Sequence, residues 1–226
     1  MKTKSKALLL TLCAVLLVAA SILGTMAYLT SQDTVTNTFT VGNVEITLDE
    51  AKVGPDGQAL TEDNAERVKA NTYKLMPGHE YDKDPTIHVA ANSEDCYLFV
   101  EVKNGIADIE DSNPYGTITE QMTGTSGNWV ALKGYSGIYF YSLSSETPIT
   151  KPTVVSASNA EDGVKVFTNF KIKDDVGNAT LAGYDKKTIV VTAYAVQADG
   201  FKGQTAAAIW KATFGAATST PVDPAE

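Results

Sequence analysis

The sequence has 226 residues and a formal net charge of −9, with 43% hydrophobic and 20% charged residues. A chain of that length can bury one good core as a single domain. Its acidic balance argues against nucleic acid and anionic membrane surfaces as partners.

Residues 1–27 have the parts of a secretory signal: Lys2, Lys4 and Lys6 with no acid, an apolar run from Ala7 to Leu23, then Gly24 and small residues. Thr25 and Ala27 fill the small positions three and one before a cut, making Tyr28 the first mature residue. Val18-Ala19-Ala20 is a second, less suitable site, and the length of the apolar run leaves an uncleaved N-terminal anchor as the alternative. Leu12 is too bulky to precede a lipoprotein cysteine at Cys13. Removing the signal leaves 15 Lys+Arg against 27 Asp+Glu, a formal charge of −12. It also leaves Cys96 alone, so no disulfide can form within the mature chain. With no His or Lys beside it, Cys96 reads as a small buried hydrophobe.

Residues 28–43 read as an N-terminal exchangeable segment and first strand. Between residues 34 and 48 the apolar alternation changes phase at Gly42-Asn43: Phe39 and Val41 share one face, Val44, Ile46 and Leu48 the other. A polar excursion follows, with a turn at Gly54-Pro55-Asp56-Gly57 and a short helix expected over 61–70. Strands are predicted at 86–90, 97–103, 129–132, 138–143, 153–157, 164–172 and 188–197. The last is apolar on both faces and so predicted to be central. Short helices are expected at 117–122 and from Thr205 to the Gly215 stop, with Ile209 and Trp210 closing one end of the domain. Residues 216–226 are small, polar and Pro-containing, a tail without wall-sorting features that reads as disordered.

Many short strands, Gly/Pro/Asn punctuation and no βαβ alternation predict an all-β domain over residues 44–215. Its architecture reads as an antiparallel, jelly-roll-like β-sandwich with one or two short helices.

Three stretches carry a resemblance. They are the junction Gly24-Thr-Met-Ala-Tyr-Leu-Thr with Asn37-Thr-Phe-Thr-Val-Gly-Asn-Val, the turn Met76-Pro-Gly-His-Glu-Tyr-Asp-Lys-Asp-Pro-Thr-Ile, and Ala193-Tyr-Ala-Val-Gln. Together they resemble the TasA/camelysin family of exported proteins of Gram-positive bacteria, whose signals are cut by a SipW-type signal peptidase. The resemblance implies a jelly roll, secretion, and a place in the extracellular biofilm matrix or in cell-surface fibres. It implies a homopolymer, with minor matrix subunits as further partners and no membrane attachment after cleavage. Fibres of that group are similar to donor-strand polymers, and here the strand-exchange residues would be Tyr28, Leu29, Val35, Phe39 and Val41. The other reading of residues 28–38 is an ordinary loose terminus.

Camelysin also implies a metallopeptidase, the alternative function. A zincin needs His-Glu-x-x-His on a helix. This chain has two histidines, and His79-Glu80-Tyr81-Asp82-Lys83 lacks the second ligand and follows a Pro-Gly turn. His79, Glu80, Asp82 and His88 remain the weak metal candidates, with zinc disfavoured and no catalytic residue assigned. Acidic pairs such as Asp82/Asp84 and Asp174/Asp175 could hold calcium, but none matches a dedicated calcium loop. A monomeric adhesion or glycan-binding sandwich is the second alternative, with Trp129, Tyr135, Tyr139 and Tyr141 as a platform. Alternating strand aromatics more often pack a core.

Overall fold

The computed structural model describes residues 11–17, 43–61 and 65–215. The chain divides into two units, residues 1–41 and 42–226. In the first, residues 11–17 form a helix (α1) whose side chains are exposed. Among the described residues no helix is long and apolar enough to cross a membrane. The cut-site residues Thr25, Ala27 and Tyr28 and the exchange-segment residues Leu29, Val35, Phe39 and Val41 lie outside the described residues.

The second unit is an all-β, antiparallel sandwich. One sheet holds four strands in the order β2 (Arg67–Val68), β1 (Ile46–Ala51), β4 (Thr86–Val89), β9 (Val164–Lys165). The larger sheet runs β11 (Ile189–Gln197), β5 (Cys96–Asn104), β7 (Ile138–Tyr141), β6 (Trp129–Ala131), with β8 (Val154–Val155) beside β5. A two-stranded ribbon pairs β3 (Glu80–Asp82) with β10 (Asn169–Lys171). Neighbours in each sheet are mostly non-consecutive, the crossing pattern of a jelly-roll-like sandwich rather than a meander.

Strand β5 organises the packing. Leu98 and Val100 point into the core shared with Ile87, Val89 and Phe170, while Tyr97 and Phe99 point to the opposite face. There they meet α4 (Ala206–Phe214), capped by the Thr205 hydroxyl, whose Ile209 and Trp210 are fully buried. The helix therefore backs a sheet face instead of closing one end of the sandwich, because its apolar stripe matches the second face of β5, β7 and β11. Helix α2 (Ile118–Thr123) forms as expected, with a Thr117–Glu120 capping box. A third helix, α3 (Asn178–Ala182), was not anticipated.

Three expectations are corrected. The helix expected over 61–70 is not formed at its end: Arg67–Val68 is strand β2, antiparallel to β1. Ion pairs from Arg67 to Asp49 and Asp84 hold it there and override a weak helical preference. The strand predicted over 164–172 splits, because its two halves serve different partners, β4 and β3. The strand predicted as central, β11, lies at a sheet edge among the described residues. Its second apolar face packs on α4, so apolarity on both faces reported a covering helix and not a second neighbouring strand.

Candidate functional site

Pairing explains why one side of the sandwich is open. Strand β11 pairs with β5 residue for residue, from Ile189↔Asn104 to Gln197↔Cys96. Among the described residues its other edge has no strand partner. Strand β1 pairs with β4 over Ile46–Asp49 but with β2 only at Glu50 and Ala51. Among the described residues the β2 side of residues 46–48 is thus also without a strand, and the Lys69 ammonium donates to the Leu48 carbonyl at 2.6 Å.

Between these two edges lies a half-open groove of about 1060 Å³. Its walls are Leu48 from β1, Tyr73 and Leu75 from the loop between β2 and β3, Phe170 from β10, Leu181 and Tyr184 at α3, and Ile189 and Val191 from β11. Tyr73, Tyr81 and Phe170 form an aromatic cluster behind it, with ring centroids 4.8 to 5.7 Å apart. Burial first, and then the negative charge of Glu50, pushes the Tyr73 phenol above its ordinary value, so it stays neutral. Its hydroxyl donates to the Asp82 carbonyl at 2.9 Å.

Charge around the groove is organised by β1. Buried Glu50 pairs with buried Lys83 and accepts from Asn71 Nδ2 at 3.0 Å. Asp49 accepts from Arg67 Nε and lies 3.1 Å from His88 Nε2, and Arg67 also reaches Asp84 at 3.1 Å. Burial alone would raise the Asp49 carboxyl, but hydrogen bonds from Arg67 and His88 outweigh it and hold it below the usual range. Lys74, Lys186 and Lys187 also line the groove. Among the described residues they form no ion pair.

The metal candidates are not brought together into a site. His79 Nε2 lies 2.6 Å from the Asp56 carbonyl, and its ring sits edge-on to Tyr81. Asp82 accepts from the Ala59 amide at 2.8 Å, and Glu80 pairs across the ribbon with Lys171. His88, on β4, faces Asp49 of the neighbouring strand β1, away from the β3–β10 ribbon. Among the described residues no group of three His, Cys, Asp or Glu stands close enough to share an ion. Cys96 is buried at the start of β5, its thiol pushed up to about 11 by burial and then by Asp95. A thiol so raised is a poor nucleophile at neutral pH.

Of the platform aromatics, Trp129 takes the core-packing role that alternating strand aromatics more often have. Trp129 is 2% exposed and donates from Nε1 to the Lys165 carbonyl, so it belongs to the core. Sequence reasoning missed Glu50, Lys83 and the α3 residues, in stretches that read as polar excursions and turns, and Arg67, in a stretch read as a short helix. The one available signal was Tyr73 and Leu75, apolar residues standing at alternate positions before Met76-Pro77.

No family model matches the chain, and no curated protein or solved structure matches it.

Proposed function

We propose that this chain is an exported structural subunit that adds to copies of itself through the segment following its signal, building extracellular matrix or cell-surface fibres. The observation that carries this reading is the edge of β11, nine residues long and without a strand partner among the described residues. A long edge of that kind presents main-chain donors and acceptors to any strand that arrives, and natural sheets ordinarily blunt it. Addition of one chain's end to another's edge is heterologous and need not close, so it generates filaments.

The residues after the expected cut support the same reading. Residues 28–41 carry a single charge, Asp33, and are rich in Thr and Val. A SipW-type peptidase cutting after Ala27 would free them. No catalytic role is assigned: the thiol is buried, and the histidines are engaged with a backbone carbonyl and with Asp49.

The test compares purified chains beginning at Tyr28 and at Phe39, followed by light scattering and electron microscopy. Filaments from the first and none from the second are expected. Absence of filaments from both sinks the proposal.

A further inference from the structure

We propose that the side chains of Lys83 and Asn71 join in an amide bond that the folded chain makes for itself, with Glu50 as the catalytic residue. The bond forms within one subunit, whether or not subunits assemble. Glu50 stands on β1, Asn71 in the loop after β2, and Lys83 directly after β3. Lys83 Nζ donates to Glu50 Oε2, and Asn71 Nδ2 donates to Glu50 Oε1 at 3.0 Å. One carboxylate therefore holds an amine and a carboxamide side by side. The Val53 N–H donates to Asn71 Oδ1 at 3.0 Å, and Nδ2 donates again to the Ala51 carbonyl at 2.8 Å. Those two backbone partners fix which end of the amide is oxygen and which is nitrogen.

A plain ion pair does not account for the arrangement. Glu50 is 5% exposed and Lys83 8%, and two charges taken so far out of water stabilise a fold little. Each contact does have a part in one reaction, the condensation of an amine with a carboxamide. Glu50 takes a proton from Nζ through Oε2, and the freed lone pair attacks Asn71 Cγ. The flexible four-carbon stem of lysine lets Nζ cross from the carboxylate to the carbon beside it. Negative charge developing on Oδ1 meets the Val53 N–H, a backbone donor already in place. The bond from Cγ to Nδ2 then breaks. Nζ gives up two of its three protons. Both pass through Glu50 to Nδ2, which leaves as ammonium, and Glu50 ends as the carboxylate it began as. One carbon–nitrogen bond forms and one breaks, so the step needs no oxidant, reductant or co-reactant.

The surroundings suit a reaction that happens once, on the chain's own side chains. The Tyr73 ring centroid lies 5.8 Å from Nζ, and Glu50, Asn71 and Lys83 all line the groove, which gives the ammonium a way out. Folding brings the three groups together, and that proximity stands in for an external enzyme. The product is a ring closed over residues 71–83, which fixes the Tyr73 and Leu75 wall of the groove. After Cys13 the chain has a single cysteine, the buried Cys96, so an amide supplies a staple that a disulfide within the domain cannot.

Intact-mass spectrometry of the purified, folded full chain tests this, followed by denaturation and tryptic mapping. The mass is expected to fall short of the sequence by one ammonia. The peptide 70–74 should appear only joined to the peptide that begins at Leu75 and carries Lys83. A folded chain of full sequence mass overturns the proposal, as does ammonia loss confined to an unbranched 70–74 peptide. Both outcomes are read on the unsubstituted chain and so need no variant to fold. Lys83→Arg keeps the buried positive charge but presents a guanidinium that stays protonated, and should keep its full mass. Glu50→Gln should form the link at least about a hundredfold more slowly after refolding. Linking at the unsubstituted rate by either variant, once circular dichroism shows it folded, overturns the assignment of these roles.

Discussion

Strands β5 and β11 are both nine residues long, apolar on both faces, and paired with each other along their whole length. They differ in what lies on their far edges. Strand β5 continues into β7 and β8, and its residues 96–101 are all buried. Strand β11 has no further neighbour among the described residues, and most of it is only half-buried, with Val190 44% exposed. Equal length and similar composition thus accompany two roles, a closed centre that holds the fold and an open edge that can receive something. Local sequence sets which faces are apolar. It does not set which edges are taken.

The comparison can be broken most easily at β5. Leu98→Ala empties a fully buried site between the two sheets and should cost about 3–5 kcal/mol in denaturant unfolding. Ile189→Ala, on β11, removes a half-buried side chain at the groove and should cost roughly 1–2 kcal/mol. Equal losses at the two positions would mean that the β11 edge is already covered in the free subunit.

A pH series sharpens the same contrast from the β1 side. The Asp49 carboxyl is depressed in the folded state, so its contribution is present above its unfolded value and lost as pH falls through the folded one. Acid unfolding below about pH 4 should therefore steepen through Asp49, and Asp49→Asn should flatten that limb while leaving the stability of β5 variants ordered as before. Hydrogen exchange offers a finer probe. Amides of β5 should be the slowest in the domain, while those β11 amides that point away from β5 exchange quickly until filaments form. The smallest effect is expected for Val190→Lys, within about 0.5 kcal/mol of the unsubstituted chain, because that side chain is exposed on the edge strand.

Much of the architecture was legible. The strands at 86–89, 96–104, 129–131, 138–141 and 189–197 follow from alternation and turn residues, and α2 and α4 from their Thr caps. The excursion between β1 and β3 was not. There Arg67, Glu50, Lys83 and Asn71 look like solvated polar residues, yet they meet across 17 to 33 positions of sequence and build one wall of the groove. Periodicity carries no information about pairing at such separations. Helix α3 escaped for a related reason: five residues, Asn178–Ala182, give too short a window for a 3.6-residue period to show.

The amino-acid sequence by itself determined the class of this protein. Alternation at period two makes strands, and Thr caps and Gly stops bound α2 and α4. Those are local properties, set by backbone sterics and by the side chains within a few positions. The open side of the sandwich was decided only by tertiary structure. Whether a strand such as β11 lies at the centre or at the edge depends on which distant segment pairs with it, and α4 can satisfy an apolar face without satisfying an edge. Among the described residues β11 pairs only with β5, and β1 meets β2 only at Glu50 and Ala51, which leaves the groove between them open.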